Sequence, residues 1–115
     1  MQANELRLGN WVYFHDGIFK IEPLTIFNIS NEPQNYKPIP LTEEILLKCE
    51  GIIKHPIIKN RYLFEDKKSS FHISDWDNPS LDIFIDGKYI ICVEFLHTFQ
   101  NLIYALTDQE LNIKL

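Results

Sequence analysis

The sequence predicts a single small α+β domain: a twisted antiparallel sheet, with curling toward a small barrel as one form, and two helices packed on it. Three observations lead there. Two Asp-Gly pairs, Asp16-Gly17 and Asp86-Gly87, sit between runs rich in branched and aromatic residues and mark hairpins. Two other stretches, PLTEEILLKCEG and LHTFQNLIYALTDQEL, carry helical signals instead. At 115 residues, with 45% hydrophobic and 23% charged residues, residues 1–115 suit one domain around one core.

The first element is the hairpin GNWVYFHDGIFKIE. With Asp16-Gly17 as its two-residue turn, His15 faces Ile18, Phe14 faces Phe19 and Val12 faces Ile21. Val12, Phe14, Phe19 and Ile21 then share a core side, and Trp11, Tyr13, His15, Lys20 and Glu22 share the other, which a second element or a ligand must cover. Residues 23–40 are broken by prolines and asparagines and predict an irregular connection, with a short strand over Leu24 to Ile29 as an option.

Thr42 predicts an N-cap. Glu43 and Glu44 complement the positive end of the helix dipole, Leu41 can staple onto Leu46, and Gly51 closes a helix of about two turns. A meander follows, with strands at Arg61–Glu65, Phe71–Trp76, Leu81–Ile85 and Lys88–Val93. In its last hairpin a plain two-residue turn puts Leu81, Ile83, Ile85, Ile90 and Cys92 on one side, with Lys88 beside the turn.

At 100° per residue, Leu96, Phe99, Leu102, Ile103 and Leu106 fall within an arc of about 120° on the next helix. His97, Gln100, Asn101 and Tyr104 make a second, uncharged stripe. Three readings stand for it: hydrogen bonds to a neighbouring loop, a face toward solvent or a subunit, or a ligand contact. The tail alternates Leu111, Ile113 and Leu115 with polar residues and predicts an edge strand.

Composition narrows the function classes. A net charge of -5 at neutral pH disfavours extended nucleic acid as a partner. The longest apolar run, Tyr89 to Val93, is far too short to span a bilayer, so a membrane is not among the expected partners. The opening MQANELRLGN has no secretory pattern, which sets a cytoplasmic expectation, in a bacterial host cell given the resemblance below. Cys49 and Cys92 are read as reduced core residues.

No metal or cofactor is expected. The four histidines show no zinc spacing, the acidic cluster of Asp75, Asp77 and Asp82 departs from a calcium loop, and phosphate-cradling and nucleophile-elbow motifs are missing from the sequence. No catalytic residue is assigned. The segment KHPIIKNRYLFEDKK, residues 54–68, gathers Lys54, His55, Lys59, Arg61, Lys67 and Lys68 in an otherwise acidic chain. It is either a solvated strand edge guarded by lysines or a site for an anionic or planar ligand. As a site it would combine Lys59 and Arg61 with the rings of Trp11, Tyr13, Tyr62 and Trp76.

Three blocks, NELRLGNWVYF at 4–14, PIPLTEEILLKCEG at 38–51 and LHTFQNLIYALTDQEL at 96–111, resemble a family of small proteins from Bacteroides-type bacteria, their phages and integrated elements. Phe99 stands where that family usually has leucine, and Asp108 where it usually has glycine. The resemblance implies a setting and no activity. Together these readings predict a non-catalytic binding protein of phage or mobile-element origin, blocking or sequestering a host-defence component that is a protein or a small nucleotide-like signal. A homo-oligomeric assembly module, and an enzyme working through His97 or His72, are the alternatives.

Overall fold

The computed structural model describes residues 6–15, 17–23, 29, 31, 33–65, 70–74 and 80–115. Asp16, Lys67, Lys68, Asp75, Trp76, Asp77 and most of the optional strand at Leu24 to Ile29 lie outside them. Among the described residues there are eight strands: β1 Trp11–Phe14, β2 Gly17–Lys20, β3 Tyr36–Pro38, β4 Ile52–Lys54, β5 Arg61–Glu65, β6 Ser70–Ser74, β7 Leu81–Ile85 and β8 Lys88–Val93. Among the described residues two α-helices join them, α1 Glu43–Leu47 and α2 Leu96–Thr107.

The strands form two antiparallel sheets, a three-stranded one in the order β2-β1-β3 and a five-stranded meander β4-β5-β6-β7-β8. Both are open, so the curl toward a barrel does not occur. β3 was not expected because Pro38 sits in it; the strand lies at the sheet edge, where a residue without a backbone N–H is tolerated.

The first hairpin is shifted from its expected register. Phe14 pairs with Gly17 and Val12 with Phe19, so pairing stops at Phe14 instead of reaching His15 and Ile18. His15 takes the left-handed conformation, φ +54°. Because the pairing moves by two residues, the side-chain faces are preserved. Val12 is buried with Ile21, Ile29 and Tyr36 in a small cluster against which Leu6 and Phe14 pack. Trp11 and Tyr13, on the opposite face, pack against the main core. Strand β1 is packed on both sides, whereas β2 lies at the sheet edge and Phe19, expected on the core side, is 48% exposed.

The last hairpin turns at Asp86-Gly87 as expected, with both residues at positive φ. An irregularity beside Ile83/Phe84 then inserts one extra residue in β8, so that Phe84 pairs with Tyr89 but Ile83 with Ile91. A slip of one residue exchanges faces. Leu81 and Ile83 therefore align with Val93 and Ile91, and the expected placement of Ile90 and Cys92 on the core side is wrong. Ile90 is 45% exposed and Cys92 lies at the surface.

Helix α1 is capped by Thr42, whose Oγ1 accepts the Ile45 N–H at 3.3 Å, and its five residues fall short of the two turns expected. Gly51 closes the connection further on, at φ +90°, where a Cβ would meet the Phe64 ring at 3.0 Å. One main core gathers Leu41, Leu46, Ile52, Tyr62, Ile73, Ile83, Leu96, Phe99 and Ile103. Burial of such side chains contributes roughly 1.5–3 kcal/mol each before conformational entropy is subtracted. The tail makes a single bridge, Cys49 with Ile113, instead of an edge strand.

Candidate functional site

Helix α2 turns most of its polar stripe inward, with Tyr104 left 37% exposed. Gln100 is 1% exposed, its Oε1 accepting the Trp11 N–H at 2.9 Å and its Nε2 donating to the Gly9 carbonyl at 3.1 Å. Asn101 Oδ1 accepts from Arg7 Nε at 3.0 Å and from Asn10 Nδ2 at 2.9 Å. The Arg7 guanidinium forms an ion pair with Glu110 and lies 4.2 Å from the centre of the Tyr104 ring. His97 is 4% exposed and stacks with Phe95, ring centres 6.1 Å apart. The stripe is thus a lock that clamps residues 7–11 onto the helix. Hydrogen bonds of this kind contribute about 1 kcal/mol each, and an orphaned buried partner costs more than that. Leu106, expected in the apolar arc, is 41% exposed, because the buried arc is turned toward His97 and Gln100.

The residues proposed for a ligand do not come together. Tyr62 is 1% exposed in the main core and offers no face for stacking. Lys59 and Arg61 sit at the β4–β5 end of the large sheet, while Trp11 and Tyr13 belong to β1. Trp76 lies outside the described residues.

Trp11 instead lines a groove of about 370 Å³ with Leu8, Lys20, Glu50, Ile113 and Lys114. Lys20 Nζ stands 6.0 Å from the centre of the Trp11 ring, the outer limit of a cation–π contact. Glu110 also lines the groove, already neutralised by Arg7. An indole wall, two lysines and the mixed polar and apolar floor of the tail suit a small planar anion, held by stacking on one side and charge on the other. Sequence reasoning found Trp11 but missed Lys20 as a groove residue and missed Lys114, which lies 103 positions from Trp11. The Arg7–Glu110 ion pair and the bridge between the tail and residues 48–50 bring the two ends together. Tyr13 lines a separate cleft of about 280 Å³ with Ile18, Pro40 and Leu115.

Among the described residues no group of three His, Cys, Asp or Glu side chains is placed to hold a metal. Cys49 is buried, as expected, and its thiol is pushed up to about 12 by desolvation. His55 Nδ1 accepts the N–H groups of Ile57 at 3.1 Å and Ile58 at 2.9 Å, which identifies it as the unprotonated ring nitrogen. Glu43 is held below the usual carboxylate range, first by its hydrogen bond with Lys54 and then by that with Tyr62. No described helix is long and apolar enough to cross a membrane. No protein-family model, curated protein or solved structure matches the chain.

Proposed function

We propose that this chain is a non-catalytic binding protein of phage or mobile-element origin that sequesters a small, planar, anionic, nucleotide-like molecule of the host cytoplasm. The groove beside Trp11 carries the proposal. It offers one aromatic wall and two cations, Lys20 and Lys114, beside the carboxylates of Glu50 and of Glu110, the latter paired with Arg7, so its balance is less negative than that of a chain whose net charge is -5. The setting comes from the three blocks that resemble proteins of phages and integrated elements. The polar stripe of α2 contributes to scaffold assembly rather than to recognition, and the groove is the described cavity that combines an indole ring with cations.

Isothermal titration of cyclic and linear nucleotides tests this reading. One of them is expected to bind with one site per chain, and Lys20→Glu or Lys114→Glu should weaken it by about tenfold or more, the scale of one lost charge-assisted hydrogen bond. No heat with any nucleotide would remove the reading. A second reading, self-association, is favoured by a row of paired positions crossing the other face of the large sheet: Ile53, Leu63, His72, Phe84 and Tyr89. Ile53 is 59% and Tyr89 56% exposed. Light scattering over a range of concentrations separates the two readings, since the ligand-binding reading needs only a monomer.

A further inference from the structure

We propose that the loop between β4 and β5, residues 55–60, docks the protein on an anionic lipid surface. The loop is closed at its base by the His55 N–H donating to the Arg61 carbonyl at 2.8 Å, and Asn60 turns the chain back at φ +58°. At its tip Ile57 is 86% exposed, more than any other large hydrophobic side chain among the described residues, and Ile58 beside it is exposed too. Water gives no reason to place two isoleucines there.

Charge and backbone both favour a lipid layer. From Gly51 to Phe64 the chain has three cations, Lys54, Lys59 and Arg61, and no acid. Lys54 is paired with Glu43 at 3.1 Å, which leaves the exposed Lys59 as the forward charge, with the half-buried Arg61 behind it at the start of β5. Oil at the tip and cations at the base match the depth profile of a bilayer, whose anionic headgroups lie outside its acyl chains. A segment entering that boundary must also satisfy its amides internally, and the His55 ring accepts the N–H of both tip isoleucines. An acidic protein partner would draw on the same cations but would not require those amides to be satisfied before contact. With a net charge of -5 the chain as a whole is repelled, so contact depends on a locally basic segment such as this one. A loop that reaches only the headgroup boundary needs no spanning segment, so the lack of one in the sequence does not bear on it.

Cosedimentation of the full chain with phosphatidylcholine vesicles, with and without phosphatidylserine, is the test. Expected are binding that requires phosphatidylserine, weakens with salt, falls by about tenfold or more in Lys59→Glu, and is lost in the double variant Ile57→Ser, Ile58→Ser. Thermal melts should show that these surface variants fold as the parent does. Failure to bind phosphatidylserine vesicles at low salt, or binding indifferent to either variant, overturns the proposal. So does capture on polyglutamate beads that depends on Lys59 and not on Ile57, which would identify an acidic protein surface instead. The loop lines no part of the Trp11 groove, so nucleotide titration of the same variants keeps the two proposals separate.

Discussion

Helix α2 and the β4–β5 loop both mix polar with apolar residues, yet the fold uses them in opposite ways. On α2 the polar groups turn inward: Gln100 and His97 are almost wholly buried, and Gln100 and Asn101 bond to residues 7–11. In the loop the apolar groups turn outward, with Ile57 at the tip. The difference lies in what each segment can pair with. A helix face opposite another chain segment must match that segment's amides and carbonyls, whereas a short turn closed by its own histidine leaves its side chains free.

Substitutions should reproduce that contrast as a graded series. Phe99→Ala, which hollows the core under α2, is expected to lower stability by about 3–5 kcal/mol in urea unfolding. Gln100→Ala should cost about 1–3 kcal/mol, because it strands the Trp11 N–H and the Gly9 carbonyl without removing much apolar area. A cost near zero would mean that water replaces the amide and that the lock is ornamental. Asp108 ends α2 at φ +59°, and Asp108→Gly should raise stability by about 0.5–1 kcal/mol. Ile57→Ser is expected to stay within about 0.5 kcal/mol of the parent, the signature of a residue whose work is outside the fold.

Acid unfolding sharpens the comparison from another side. Glu43 has a folded-state value below its ordinary 4.5, so its ion pair favours the folded state above that value and the benefit is lost as pH falls through the depressed one. Glu43→Gln should therefore flatten the loss of stability on the acid side of 4.5 and leave the alkaline limb unchanged. Denaturant melts over that range measure it.

Much of the scaffold was legible from local chemistry. Asp86-Gly87, Thr42 and the periodicity of residues 96–107 placed a turn, a cap and a helix because each needs only its neighbours. The failures were non-local or came from one inserted residue. The extra residue in β8 moved Cys92 to the surface, and nothing in KYIICV marks it. The hairpin of β1 and β2 slipped by two positions because His15 accepts a conformation usually left to Gly or Asn. Tyr62 was mistaken for a surface ring because alternation fixes which residues share a face but not which face is covered.

The candidate site was less legible still, since the Trp11 groove is closed by the tail, and the sequence holds no sign that Lys114 returns to Trp11. NELRLGNWVYF and LHTFQNLIYALTDQEL meet as the two halves of the Arg7–Gln100–Asn101–Glu110 lock. PIPLTEE docks beside the start of α2, through Pro40 against Phe95 and the Leu41 N–H on the Glu94 carbonyl. These contacts assemble the scaffold.

Whether α2's polar stripe holds the fold together can be measured at one atom. Hydrogen exchange followed by NMR should find the Trp11 backbone amide strongly protected in the parent and selectively exposed in Gln100→Ala, while amides in β6 stay protected. A Trp11 amide that exchanges freely in the parent, or keeps its protection after the substitution, would contradict the lock and return His97, Gln100, Asn101 and Tyr104 to the list of candidate binding residues.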